Sequence, residues 1–268
     1  MSADLQLRAA AATHVGNVRS INEDASLVLP ELAIVADGMG GHACGDVASA
    51  LTVAAFADLA GSRPLRAEDV VNAVARANGS ILDEADAHPA KAGMGTTVTG
   101  IALVEQGGSP HWLVINVGDS RVYRIAAGGA AQLTVDHSEV AELVAAGQIT
   151  PAQARVHPLR NIVTRSLGTE PGPVVDTWLV PVAPDDLFVV CSDGLSGELE
   201  DEVIGELAAG SLTDGASLEE VAQRLVAAAV DHGGRDNVTA VVVAAPRGPA
   251  RDAEVTTQPR SELSGGPA

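Results

Sequence analysis

Two stretches of the chain, 32–36 (Leu-Ala-Ile-Val-Ala) and 187–191 (Leu-Phe-Val-Val-Cys), are apolar at every position; a third, 238–243, is interrupted only by Thr239. Runs this short without alternation predict buried core strands. Further strands are predicted at 5–11, 96–104, 112–117, 121–125 and 174–180, with turns at Gly107-Gly108 and Gly118-Asp119. Small and apolar residues at helical spacing predict helices over 46–59, 67–85, 139–146, 202–209 and 218–230, with Gly61 and Pro64 separating the first two. Residues 22–24 read as a turn, and the Arg-containing stretch from the 139–146 helix to Gly172 as irregular. Strands clustered between pairs of helices, without strict β-α-β alternation, indicate an α+β layered fold.

The ends of the apolar runs carry the chemistry. The first stops at Asp37-Gly38, the second at Ser192-Asp193-Gly194, and the third is preceded by Asp236. A carboxylate at the end of a core strand is fixed and partly desolvated, and several together are costly unless a cation neutralises them. Taken singly, each Asp-Gly is a common turn. Their joint occurrence beside core strands, with Asp24 a few residues from Arg19, points to a metal site. Hard divalent cations such as Mg²⁺ and Mn²⁺ take oxygen ligands and keep several waters. Asp37 is placed to bridge two ions, Gly38 offers an accessible carbonyl, and Asp193 and Asp236 complete the shell. A metal pair ~3.5–4 Å apart activates water for in-line displacement at phosphorus. Histidine occurs once near these motifs, at His42, which argues against zinc. Arg19 offers a planar fork for phosphoryl oxygens. The glycine run 38–41 lacks the Gly-Lys-Ser/Thr ending of a P-loop.

Composition narrows the rest. Hydrophobic residues are 46% of the 268, enough for a sizeable core, but aromatics are 2%, so that core must be mostly Val, Leu, Ile and Ala. A net charge of −19 argues against nucleic acid or anionic membrane as partner. The two cysteines, Cys44 and Cys191, have neither metal-type spacing nor a disulfide pattern. No leader-type segment and no apolar run near ~20 residues is present, so a cytoplasmic protein is expected. Residues 1–246 are read as one domain and the Pro-, Gly-, Ser- and Thr-rich 247–268 as a disordered tail.

Six ordered motifs, Arg19-Ser20-Ile21-Asn22-Glu23-Asp24, Asp37-Gly38-Met39-Gly40-Gly41-His42, Gly93-Met94-Gly95-Thr96-Thr97, Gly118-Asp119-Ser120-Arg121, Cys191-Ser192-Asp193-Gly194-Leu195 and Arg235-Asp236-Asn237-Val238-Thr239, resemble the metal-dependent protein phosphatases of type 2C, most closely their bacterial branch. The resemblance extends over about 8–245, and the segment from Leu133 to Gly168 is similar to the bacterial flap. It implies a central antiparallel β-sandwich flanked by helix pairs, in α-β-β-α layers. It also implies Asp24, Asp37, Gly38, Asp193 and Asp236 as ligands of a two-ion Mn²⁺ or Mg²⁺ centre, with Glu23 acting through water. Asp119, with Asp193, resembles the site of a third ion, and Arg19 the phosphate-binding arginine. Met39 stands where animal members carry a histidine; His42, three residues on, is either the proton donor to the leaving oxygen or a structural loop residue. Flap residues His137, Arg155, His157, Arg160 and Arg165 are candidates for substrate docking.

The activity implied is hydrolysis of phosphoserine and phosphothreonine on proteins, by direct attack of a water bridging two ions, by a monomer that reverses serine/threonine kinase signalling. The alternative is a catalytically weak, phosphoprotein-binding regulatory module of the same fold. Loss of a core aspartate would favour that alternative, and none is missing.

Overall fold

A computed structural model describes residues 6–40, 44–62, 64–126 and 129–246. His42 and the expected tail, 247–268, lie outside the described residues. The strands are β1 (Arg8–His14), β2 (Asp24–Val28), β3 (Leu32–Met39), β4 (Gly95–Thr96), β5 (Val98–Gln106), β6 (Ser109–Val117), β7 (Arg121–Ala126), β8 (Gly129–Gln132), β9 (Asp176–Pro181), β10 (Leu187–Cys191) and β11 (Val238–Ala244). They form two antiparallel sheets, ordered β1-β11-β10-β7-β8 and β2-β3-β5-β6-β9, with β4 paired to the end of β3. The helices are α1 (Gly45–Ala57), α2 (Ala67–Ala87), α3 (Glu139–Ala145), α4 (Pro151–Ala154), α5 (Asp193–Ser196), α6 (Asp201–Thr213) and α7 (Leu218–His232).

Side-chain alternation explains why three strands read as unbroken apolar runs. In β3, Leu32 and Ile34 join a core with α1 and α2, while Ala33 and Val35 join the core between the sheets. In β10, Leu187, Val189 and Cys191 face α6 and α7, while Phe188 and Val190 face inward. β11 divides in the same way, with Ala240 and Val242 outward and Val241 and Val243 inward. Each strand is therefore buried on both faces, and the expected α-β-β-α order is observed. Trp112 and Phe188 meet edge to face in the central layer, with ring centroids 5.3 Å apart.

The helices follow from their stripes. α2 buries Val70, Ala73, Val74, Ala77 and Ile81, at the three- and four-residue spacing of one helix face. α7 buries Val221, Ala222, Leu225, Val226 and Ala229. A reciprocal cap starts α7: the Glu220 amide donates to Ser217 Oγ (3.2 Å) and the Ser217 amide to Glu220 Oε2 (2.7 Å).

Several elements depart from expectation. The first strand lies at 8–14, not 5–11, because its register is set by pairing along all of β11. The 96–104 run is two strands broken at Thr97, and Asp24 opens a strand where a turn was expected. β8 (Gly-Ala-Ala-Gln) has little strand propensity of its own. It is held by β7 and by α6, whose Gly205 lies directly against Gly129. Asp193 begins a helical turn, not a simple Asp-Gly turn.

Candidate metal centre

The strand alternation that buries Ala33 and Val35 between the sheets carries Asp37 to the same face, at the end of the sandwich. In the β2–β3 register Asp24 stands directly opposite Asp37. Like charges facing each other across an antiparallel pair are destabilising. From the opposite sheet, Asp193 follows β10 and Asp236 precedes β11, and Asp119 sits in the turn between β6 and β7. Ser192 bridges the two sheets: its Oγ donates to Asp24 Oδ2 (2.8 Å) and accepts the Thr239 amide (3.0 Å).

The carboxyls respond to this crowding. Burial, assisted by the charges of Asp193 and Asp236, pushes the Asp24 carboxyl up to about 7 despite its hydroxyl donors. Burial and Asp236 push Asp193 up to about 6, against a hydrogen bond with Asp37. Asp37 lies well above the usual range through burial and then the charges of Asp24, Asp193 and Asp119. Asp119 does so through burial and Asp193. Asp24 Oδ1 is buried with no hydrogen-bond donor among the described residues. An orphaned buried carboxylate oxygen amid mutually repelling acids is a place where a cation fits. Among the described residues no three His, Cys, Asp or Glu side chains close a cage around one point. Carboxylate and carbonyl oxygens are the donors that Mg²⁺ and Mn²⁺ favour, ions that hold one or two carboxylates and keep several waters.

Two candidate residues are engaged elsewhere. Glu23 Oε1 accepts the Gly45 amide (3.1 Å) at the start of α1, where its charge complements the helix dipole. Its backbone oxygen accepts Ser49 Oγ (2.6 Å) and the Gly38 amide (3.2 Å). Arg19 Nη2 donates to Asp236 Oδ2 (2.7 Å), which raises the arginine above its ordinary value. The phosphate-binding candidate is thus held on a metal-ligand candidate. Gly38 is explained by packing: a side chain there would strike the carbonyls of Gly45 and Glu23.

Supporting residues became visible only in three dimensions. Thr97 Oγ1 accepts the Asp37 amide (3.1 Å) and pairs with Ser120 Oγ (2.8 Å), and Thr96 Oγ1 donates to the Asp37 carbonyl (2.9 Å). The Gly93–Thr97 motif therefore locks Asp37 to the turn that bears Asp119. Arg121 grips Asp136 through Nε (3.0 Å to Oδ1) and Nη2 (2.6 Å to Oδ2), and donates to Tyr123 Oη (2.8 Å), which donates to Asp201 (2.9 Å).

The flap candidates divide. His137 is buried; it accepts the Gly118 amide at Nδ1 (3.0 Å) and meets Asp176 (3.2 Å), and burial lowers its pKa. Arg165 pairs with the same Asp176 (2.8 Å), so both residues belong to the scaffold. His157 accepts the Leu159 amide within the flap (3.2 Å). Arg155, paired with Glu200 (3.0 Å), and Arg160 line a groove of about 1110 Å³ that leads from Asp119, Asp193 and Asp236 along α3.

A two-sheet sandwich with helix pairs on both outer faces and acids at one end of the central layer is the architecture of the type 2C phosphatases. The chain matches the protein phosphatase 2C family model over residues 18–228 and belongs to that family. It is 41% identical over 243 residues to the serine/threonine protein phosphatase PstP of Mycobacterium tuberculosis, covering 89% of this chain and 45% of that protein, so it spans about half the length of that relative. It is 35% identical over 242 residues to the serine/threonine phosphatase stp of Listeria monocytogenes, covering 86% of this chain and 93% of that one. Among solved structures, the catalytic domain of PstP in complex with two manganese ions superposes with a TM-score of 0.79 at 36% identity, covering 90% of this chain and 99% of that one. The phosphatase MsPP from Mycobacterium smegmatis, in complex with cacodylate, gives 0.79 at 37%, covering 89% and 98%.

Proposed function

We propose that the chain is a metal-dependent protein phosphatase hydrolysing phosphoserine and phosphothreonine with two Mn²⁺ or Mg²⁺ ions. The observation that carries the reading is the in-register Asp24–Asp37 pair, with its orphaned Asp24 Oδ1, set against Asp193 from the other sheet. The manganese pair in the PstP catalytic domain supports it. Asp24, Asp37, Gly38, Asp193 and Asp236 would hold the pair, Glu23 would act through water, and Asp119 with Asp193 would hold a third ion. When bound, the ions supply Lewis acidity toward the phosphoryl group and an activated water. Arg19 binds the phosphoryl oxygens and orients phosphorus for in-line displacement. In-line displacement would form a bond from a water oxygen to phosphorus, that water giving up a proton to solvent, as the bond to the serine or threonine oxygen breaks. That oxygen takes a proton, for which His42 is the candidate donor, and inorganic phosphate leaves.

The substrates would be proteins phosphorylated by a serine/threonine kinase, met by a monomer in the cytoplasm, where the free thiols of Cys44 and Cys191 stay reduced. The test is phosphate release from phosphoserine, phosphothreonine and phosphotyrosine peptides across a Mn²⁺ titration, with chelator reversal. Metal-dependent release from the first two supports the reading. Preference for phosphotyrosine would overturn the substrate class, and binding without turnover would turn the reading to a phosphoprotein-binding module.

A further inference from the structure

Asn237 opens β11 beside Asp236 and is only 5% exposed. Its Nδ2 donates to the carbonyls of Val15 and Ile21, both at 2.9 Å, and its Oδ1 accepts the Glu23 amide at 2.8 Å. An amide side chain has two N–H donors and one carbonyl acceptor, and all are used here. The partners also settle its orientation, since two carbonyls call for nitrogen and one amide calls for oxygen. The backbone amide of Asn237 donates to Asp236 Oδ1 (2.8 Å), opposite the Arg19 contact on Oδ2 (2.7 Å). Its carbonyl occupies the space that a side chain on Gly194 would need, so α5, which begins with Asp193, closes directly onto it.

One residue thus meets the loop 15–23 that carries Arg19, the strand start that carries Asp236 and the helix start that carries Asp193. We propose that Asn237 is a positioning residue that sets Arg19 in register with Asp236 and Asp193, so that the phosphate clamp and the carboxylates form one rigid unit. The inference rests on the reading of Arg19 as the phosphate clamp. Alanine removes all three side-chain bonds, glutamine is one methylene too long to make them, and serine can replace one at most.

The test measures binding of inorganic phosphate to the Mn²⁺-loaded protein by calorimetry, for wild type, R19A, N237A and the double variant. A charge-assisted hydrogen bond contributes about 1.5–3 kcal/mol, equivalent to roughly 10–150-fold in affinity. R19A should weaken phosphate within that range and N237A by about tenfold, with the double variant within about twofold of R19A alone. Fully additive losses would overturn the proposal.

N78A is the control. Asn78 is just as buried (2% exposed) and bonded at both ends, to Glu170 and Gly168. It should leave phosphate affinity unchanged; an equal loss would reduce Asn237 to general scaffolding. Hydrogen exchange gives a readout that needs no phosphate: the Glu23 amide, and with it that of Asn17 on Gly234, should lose protection in N237A and keep it in N78A. Unchanged protection in N237A overturns the placement. If wild type binds no phosphate with Mn²⁺, the clamp reading of Arg19 falls, while exchange still decides whether Asn237 holds the loop. Should N237A fail to fold, N237S carries the same measurements.

Discussion

Replacing Asp37 by asparagine should stabilise the metal-free protein, although it removes a residue at the heart of the site. Asp37 stands opposite Asp24 in register, which places the Cβ atoms about 5 Å apart. Two unit charges at ~5 Å with an effective dielectric near 20 repel by about 3 kcal/mol. Part of that is relieved in the native protein because burial and the neighbouring acids keep both carboxyls raised, Asp24 to about 7. Asparagine removes the repulsion that remains together with the cost of burying the Asp37 charge, and D37N should recover about 2 kcal/mol. For a chain of this size that corresponds to a rise of about 4–8 °C in melting temperature. Excess Mn²⁺ at 100 times its dissociation constant should add about 2.7 kcal/mol to wild type and far less to D37N, so the order of melting temperatures reverses. Calorimetric melts of both proteins, in chelator and in Mn²⁺ at pH 8, test this. If D37N melts at or below wild type in chelator, or if Mn²⁺ raises both equally, the acids are not a cluster awaiting a cation.

The same carboxyls fix the sign of a pH dependence. Asp24 and Asp193 rise from 3.8 to about 7 and about 6 on folding, so between those values the native state binds more protons than the unfolded one. Stability of the metal-free protein should therefore fall as pH climbs from about 4 to 7, seen as a higher melting temperature at pH 5 than at pH 7.5. A rise over that window would mean that these acids are already neutralised by partners. R19A should raise KM for phosphopeptides about tenfold or more, with a smaller effect on kcat and little on stability, since its pair with Asp236 is half exposed; unchanged KM would remove Arg19 from the phosphate site. G38A forces a methyl group into the Gly45 carbonyl and should cost about 1–3 kcal/mol in urea denaturation. G79A, on a helix position with open space around it, should gain about 0.5–1 kcal/mol. Equal stability of these two variants would refute the close approach of β3 to α1.

What was legible in the chain and what was not divides along one physical line. Runs such as 32–36 and 187–191 announce themselves because both faces of each strand are buried, so composition alone marks them. Asp37, Asp193 and Asp236 stand out because a charge that abuts such a run has no bland reason to recur. The strand at Asp24–Val28 is hidden because it is half-buried along most of its length and lies at a sheet edge, and Asn22–Asp24 has the composition of a turn. Register between β2 and β3 is tertiary information, yet it makes Asp24 the partner of Asp37. Glu23, adjacent in sequence, points its carboxylate to the α1 amide instead. Neighbouring acids in one motif thus part company because strand alternation sends consecutive side chains to opposite faces.

Ser192, Thr97 and Asn237 were present in the motifs but silent, since a hydroxyl or amide shows its use only when its partner arrives from another segment, 168 residues away for Ser192 and Asp24. The pairing of Arg19 with Asp236 was likewise unreadable, as 217 residues separate them. It has a consequence for the site. A cation that claims the Asp236 carboxylate weakens the hold on Arg19, and a phosphoryl group that claims Arg19 frees Asp236. By linkage, each ligand should then favour the other's binding, and a site built so would gather metal and phosphate together where either alone must first break the pair.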